Sequence, residues 1–455
     1  MSALRRFAPL TAIVSTVGLF AAGCASSSAD PMTPVADALQ DRTGHRIVWA
    51  AGLQEDADAA NAVDALLRRP LSADSAVQIA LLNNRSIRAT YEEVGIAQAE
   101  LVQAGLLRNP IFEAEIKFAE AGGGTGLELT VAQSFIDVLL IPLRQKVAAA
   151  NLAAAQQRVV ADVLETAAET KAAWYEAVAA AQTLETRRTI LQAAEASALL
   201  SRRLNEAGNI ADLDYLQEQA LYEQAKLEVS RAEVELVAAR ESLNKHMGVY
   251  GEQTTWTMPE RLPDPPADAL AAEGLETLAV QNRADLRAAR TAVEGTAVAA
   301  GVPVPLLWLE EAEIGATAER SADHEWEVGP LIAFPIPLFD TGQAALGGRR
   351  AAFRQARARL IALAVDIRSD VRTAAARRTE AWRRAIFYRD TLLPLRARVL
   401  QEAQLHYNAM HIGLTQLLMA KQEQIRTGIE YVEAVRDFWT ANAELEQAVG
   451  GKLPR

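Results

Sequence analysis

From Leu143 to Ala207 the chain contains neither proline nor glycine. As one continuous α-helix that run would span roughly 100 Å. Val159, Val163, Ala167, Thr170 and Trp174 recur along it at spacings of three and four, a narrow stripe of the kind that seams one long helix to another. Many stripe positions are alanine, which lets helix axes approach closely and suits a wall one helix thick. Arg349 to Leu393, continued past Pro394 to Ile412, predicts a matching rod. The segments that follow, Asn209 to Met247 and Leu414 to Val449, would reach only roughly 55 to 60 Å each. The helices expected at about 72 to 107 and 275 to 300 could stack end to end on these shorter segments and complete a second, antiparallel rod.

A different period interrupts the helices. In Ile111 to Ala119, Phe112, Ala114, Ile116 and Phe118 alternate with Glu113, Glu115 and Lys117, which is strand periodicity. Gly122 to Gly126 makes a turn. Leu127, Leu129, Val131 and Phe135 then alternate with Glu128, Thr130, Ala132 and Ser134. A second hairpin is expected from Leu307 to Ala318 and Glu327 to Leu338, with Glu310, Glu311 and Pro330 interrupting the alternation and Ala322 to Glu325 as its loop. Strands of about nine to eleven residues with one apolar face fit a barrel in an outer membrane. Such a hairpin also fits a soluble sheet. If the hairpins span, four strands cannot close a barrel and an open edge cannot face lipid, so other chains must complete it.

Both patterns are written twice. Asn83-Asn84-Arg85-Ser86-Ile87-Arg88-Ala89 returns as Asn282-Arg283-Ala284-Asp285-Leu286-Arg287-Ala288, pairing Ile87 with Leu286 and Arg88 with Arg287, and Val94 keeps the same offset to Val293. The repeat is far longer than a solenoid unit. It divides the chain into repeat 1 at 71–250, with a β-hairpin at about 111–135 and a helical hairpin at about 143–247, and repeat 2 at 274–450, with a β-hairpin at about 307–338 and a helical hairpin at about 343–449. A connector at 251–273 lies between them, in a stretch marked by Pro259, Pro263, Pro265 and Pro266.

The N-terminus has the order of an export signal, with Arg5 and Arg6 before an apolar Leu10 to Phe20. Ala21-Ala22-Gly23-Cys24 resembles a lipobox, so residues 1–23 read as a lipoprotein signal peptide, Cys24 as a lipidated residue and 24–70 as a tether. Cys24 is the only cysteine, which excludes an internal disulfide. No other apolar stretch reaches eighteen residues, so only a closed β-barrel would take the mature chain across a bilayer.

The net charge is −12, and a nucleic-acid partner would require a basic surface. The five histidines, His45, His246, His324, His406 and His411, are scattered; on a helix His406 and His411 face differently, so no metal site is expected. No catalytic constellation, P-loop or dinucleotide fingerprint is present, so neither an enzyme nor a cofactor is expected.

Several segments together resemble the TolC family of outer-membrane efflux proteins over about residues 70 to 450. Leu81 to Asn109, ending in Gln103-Ala104-Gly105-Leu106-Leu107-Arg108-Asn109-Pro110, is similar to the family's opening helix. Phe334-Pro335-Ile336-Pro337-Leu338-Phe339-Asp340-Thr341-Gly342 is similar to its strand-to-helix motif. Gln133 to Arg144 occupies the same joint in the first copy, in a form like that of some cation-efflux members. The resemblance implies a mainly α fold with a small β part. Duplicated helical hairpins would form a periplasmic α-barrel, and four strands per chain would contribute to a twelve-stranded barrel of a homotrimer. It implies an outer-membrane, lipid-anchored channel exporting passively what an inner-membrane efflux pump delivers through a periplasmic adaptor protein. The helical bends Ala207 to Leu216 and Met410 to Leu418 resemble the family's periplasmic tips. There Gly208, Ile210, Leu213, Leu216, Ile412, Leu414, Thr415 and Leu418 would meet the adaptor. Asp214 is in register with the family's pore-constricting aspartate, Asp212 lies beside it, and Met410 replaces an expected glycine. The competing reading is a lipid-anchored structural or adaptor coiled coil that spans the periplasm without a pore.

Overall fold

The computed structural model describes residues 30–45, 47, 49, 53–118, 125–134, 137–269, 273–303, 312–321 and 325–454. Cys24 and the signal segment lie outside them, as do Gly122 to Gly124, Phe135, the Leu307 to Glu311 part of the expected third strand and the Ala322 to His324 part of its loop. In chain order the elements are α1 (Thr33–Thr43), α2 (Leu53–Leu67), α3 (Ala73–Asn83), α4 (Arg85–Gly105), β1 (Ile111–Phe118), β2 (Thr125–Ser134), α5 (Asp137–Glu206) and α6 (Asp212–Met247). After the connector come α7 (Leu275–Asn282), α8 (Ala284–Ala300), β3 (Glu313–Arg320), β4 (Trp326–Ala333), α9 (Gln343–Phe387), α10 (Leu393–Asn408) and α11 (Leu414–Val449). The mainly helical fold with one small antiparallel sheet is the one the periodicities predict.

The five stripe residues Val159, Val163, Ala167, Thr170 and Trp174 are all buried. They seam α5 to its neighbours. The rods lie side by side in the order α9 with α10, α8 with α11, α5, and α4 with α6. Lys171 Nζ pairs with Glu446 at 2.7 Å and so ties α5 of the first copy to α11 of the second. Arg384 pairs with Asp437 at 2.6 Å between α9 and α11.

Three sequence expectations need correction. α5 starts at Asp137 rather than Leu143 and carries Pro142 inside the helix, where its missing N–H gives up the bond to the Val138 carbonyl. Residues 138–206 of that helix also include a window apolar enough to pass for a membrane span, a consequence of its alanine content and its Val138 to Ile141 start. Only 22% of that window is buried, and Pro142, Arg144 and Lys146 interrupt the beginning of the helix. Finally, the segment expected to be a tether contains α1 and α2. Met32, Val35 and Leu39 pack against Val77, Leu81, Tyr91 and Val159, so this segment is part of the fold. Thr33-Pro34 starts α1, with proline at a position whose N–H has no helical acceptor.

The connector is held by indole groups. Trp256 Nε1 donates to Asn244 Oδ1 at 2.7 Å, Trp439 Nε1 to the Pro263 carbonyl at 2.8 Å and Trp382 Nε1 to the Pro266 carbonyl at 2.8 Å. Trp174 Nε1 donates to the Leu71 carbonyl at 2.8 Å. Trp439 and Trp382 give two proline carbonyls of the connector a donor, while Trp174 and Trp256 satisfy their own N–H groups with their rings buried.

Short and long elements are reconciled at two joints. α6 ends at Gly248, left-handed at φ 69°, directly against the α3–α4 junction. Asn83 Nδ2 donates to the Gly248 carbonyl at 2.7 Å, and Asn84 Nδ2 to the His246 carbonyl at 2.8 Å. Asn84 also caps α4 by accepting from Ser86 N. In the second copy α11 ends at Gly450, φ 80°, against the α7–α8 junction at Asn282 and Arg283. The expected end-to-end stacking therefore occurs in both copies. A Cβ on Gly248 would lie 2.8 Å from the Asn84 Cα. Gly248→Ala should destabilise the protein by more than the roughly 1–2 kcal/mol of left-handed strain alone. Gly251→Ala, at φ 60° with no atom within 4 Å of the added carbon, isolates that strain. Thermal unfolding of the two variants measures the difference, and equal losses would contradict the close joint.

Candidate functional site

The sheet lies at one end of the rods and has the order β1-β2-β3-β4, antiparallel throughout. Its register places Phe112, Val131, Ala316 and Pro330 in one row and Ala114, Leu129, Ala318 and Val328 in another, on the same face. That face is apolar yet open: Phe112 is 66% exposed, Phe118 80% and Val328 77%. The opposite face carries Glu113, Thr130 and Thr317. It also carries one continuous row of four carboxylates, Glu115, Glu128, Glu319 and Glu327, one from each strand. Like charges directly opposite one another repel. Lys117 offsets part of this, with its Nζ 2.6 Å from Glu128 and 3.6 Å from Glu319. The sequence places Glu115 and Glu128 on polar strand faces, but Glu319 falls beyond the expected third strand, and the row depends on register between strands of different repeats.

The second hairpin is shorter than expected. β4 ends at Ala333, because Pro335 and Pro337 have no N–H for the ladder, although Phe334, Ile336 and Leu338 keep the alternation and are exposed. Asp340 Oδ1 accepts from Gly342 N at 2.7 Å and turns the chain into α9. Pro330 sits on β4, an edge strand, where a missing donor is tolerated. A Cβ on Gly315 would lie 2.9 Å from the Ala132 Cα, which explains a glycine at the β2–β3 contact.

At the other end are the two helical bends. In the first, Gly208 at φ 73° ends α5; its N–H bonds the Asn205 carbonyl at 2.9 Å, and Asn209 N–H bonds the Leu204 carbonyl at 2.8 Å. This paired closure satisfies the last carbonyls of the helix. Asn205 Nδ2 donates to Asp212 Oδ1 at 2.8 Å and to the Ile210 carbonyl at 3.3 Å. Asp212 is thus part of the bend's own bonding. Asp212 and Asp214 both lie in the first turn of α6, where the helix dipole favours acids. Leu213 and Leu216 are exposed, and Ile210 is half-buried.

The second bend copies the first with Met410 in the place of Gly208. Met410 N–H bonds the Tyr407 carbonyl at 2.9 Å and His411 N–H the His406 carbonyl at 2.8 Å. Among the described residues Met410 is the one non-glycine with positive φ, at 60°. Ile412, Thr415 and Leu418 are half-buried, while Leu414 opens α11. Gln416 Oε1 accepts from Gly413 N at 2.7 Å and so caps its own helix. The expectation that His406 and His411 face apart is wrong. Their Nδ1 atoms are 3.4 Å apart, because the helix ends between them and the left-handed turn folds His411 back.

No protein-family profile matches the sequence. No curated protein matches it either. Solved structures do. A membrane protein of Pseudomonas aeruginosa is 21% identical, with 85% of this chain and 91% of that one covered at a TM-score of 0.69. The outer membrane channel CmeC of Campylobacter jejuni is 13% identical, covering 83% and 85% at 0.70. CusC, studied for its folding and transmembrane channel formation, is 17% identical, covering 86% and 92% at 0.68. The chain therefore has the fold of outer-membrane channel proteins. This is the TolC-type architecture that its sequence resembles.

The strain at Met410 has a measurable consequence. A residue with a Cβ in the left-handed region costs about 1–2 kcal/mol relative to glycine. Met410→Gly should therefore slow amide hydrogen exchange in the α10–α11 bend by roughly five- to thirtyfold at the same fold, 1.4 kcal/mol being one decade. Exchange that stays at the wild-type rate would show that the turn is not strained.

Proposed function

We propose that the protein is a channel wall subunit of the outer membrane, closed by copies of itself, through which substrates leave passively. The observation that carries this is that helical wall and sheet are open at the same two sides. β1 and β4 are the sheet's edges, and α4 with α6 and α9 with α10 are the wall's outer rods. β1 follows α4 and β4 precedes α9, so each sheet edge continues an edge of the wall. Both outer rods carry exposed apolar residues at helical spacing, Leu227, Val234 and Val237 on α6 and Ile361 and Val365 on α9. A second copy fits these edges, and ring closure satisfies every strand edge at once.

Three copies would give the twelve strands that the family resemblance implies. Residues 24–29 would carry the lipid on Cys24 at the outer membrane, with the apolar sheet face toward acyl chains and the glutamate row lining the lumen. The helical bends would then lie in the periplasm. The tip residues Gly208, Ile210, Leu213, Leu216, Ile412, Leu414, Thr415 and Leu418 would meet an adaptor's helices there, and the adaptor would connect the channel to an inner-membrane pump. Asp214 would narrow the mouth, since its carboxylate, unlike that of Asp212, is not bonded to the bend. Twelve glutamates in one belt favour cations over anions.

Planar bilayer recording of the purified protein tests the reading. Stable, cation-preferring conductance is expected, and its absence would favour the pore-free structural coiled coil. Replacing Glu115, Glu128, Glu319 and Glu327 together by Gln should lower the cation-to-anion permeability ratio several-fold while conductance persists. Val328→Arg on the apolar face should cost about 2–4 kcal/mol of membrane insertion at mid-depth. Its amount in the outer-membrane fraction should fall accordingly.

A further inference from the structure

The α10–α11 bend brings two imidazoles together by a specific backbone device. In the paired closure, the residue one beyond the left-handed position lies beside the residue four before that position. In the first copy those residues are Leu204 and Asn209; in the second they are His406 and His411. The ring centroids are 5.6 Å apart with a 44° tilt, and the two Nδ1 atoms face each other at 3.4 Å. Both side chains are exposed.

That separation distinguishes between two ways of satisfying the nitrogens. A hydrogen bond from one ring to the other favours about 2.7–3.2 Å, so the pair is too open for a good one. Two imidazole nitrogens on one tetrahedral ion, each about 2.0–2.1 Å from it, sit about 3.3–3.4 Å apart. The observed distance is the edge of that tetrahedron. Among the described residues no third histidine, cysteine or carboxylate joins the pair, so a bound ion would keep two coordination positions open to solvent.

We propose that His406 and His411 chelate a late first-row divalent cation, with Zn²⁺ as the type ion, through their Nδ1 atoms, and that the ion clamps the α10–α11 bend. Imidazole donors select Zn²⁺, Co²⁺, Ni²⁺ and Cu²⁺ over Mg²⁺ and Ca²⁺, which prefer oxygen. The chelate requires the left-handed turn at Met410, so ion binding and turn conformation stabilise each other reciprocally. Only in the second copy do the residues at these two positions allow this. The site does not depend on the channel reading, because both ligands belong to one chain.

The test is calorimetric titration of the full-length protein, free of any histidine tag and stripped with chelator, with ZnCl₂. One ion per chain is expected, and His406→Ala and His411→Ala should each weaken binding roughly tenfold or more, while His246→Ala leaves it unchanged. CoCl₂ should give the intense visible bands of tetrahedral coordination in the wild type and lose them in both histidine variants. Met410→Gly should retain the site, whereas Met410→Val, which disfavours positive φ, should weaken it with both ligands present. Equal affinity and equal Co²⁺ spectra for wild type, His406→Ala and His411→Ala would overturn the site. Unchanged affinity in Met410→Val would overturn the clamp.

Discussion

The length of this molecule rests on helix ends meeting head to tail. Each copy contains one rod that is long by itself and one assembled from two shorter pieces, and the pieces align only if two backbones approach closely at the joint. Gly248 and Gly450 make that possible twice. Each ends its helix in the left-handed conformation; Gly248 leaves no room for a side carbon against the junction it faces, and one on Gly450 would lie 3.0 Å from the Arg283 N. At the first joint Asn83 and Asn84 supply the bonds that the last turn of α6 lacks. With the joints made, the sheet and the bends fall at opposite ends of the rods.

The same construction leaves the chain unfinished at its sides. A sheet of four strands ends in two unpaired edges, and a wall one helix thick has two outer rods with apolar residues exposed among the described residues. Placing both layers' edges on the same sides converts two separate liabilities into one interface. In the closed ring we propose, closure determines which sheet face is inside. Exposed Phe112, Phe118 and Val328 are stable against lipid and costly against water, and the glutamate row is the reverse.

Much of this was legible because helix and strand periods differ sharply. The stripe from Val159 to Trp174, the alternation from Phe112 to Phe118 and the repeated Asn83 and Asn282 segments each specify local structure without tertiary information. What stayed hidden depends on geometry that no single segment carries. The carboxylate row needs the β2–β3 register, which joins the two repeats. The end of β4 was misplaced because Ile336 and Leu338 alternate correctly while Pro335 and Pro337 cannot pair. Helical periodicity separates His406 and His411 because it cannot show the left-handed turn between them, and aspartate, serine and proline obscure the Met32, Val35 and Leu39 that bury the α1 segment.

The two copies share backbone conformation more faithfully than side chains, and the difference is concentrated at the bends. Gly208 adopts its turn without strain and stands beside Asn205, whose amide ties the loop to Asp212. Met410 adopts the same turn at a cost, almost wholly exposed, with no counterpart to that asparagine bond among the described residues. Both bends close with the same pair of backbone hydrogen bonds, and the first adds the Asn205 amide. The second holds a strained residue beneath two apposed imidazoles, so an external ligand has more to contribute there. Duplication supplied a symmetric scaffold, and substitution at a few turn positions made one end of it chemically distinct.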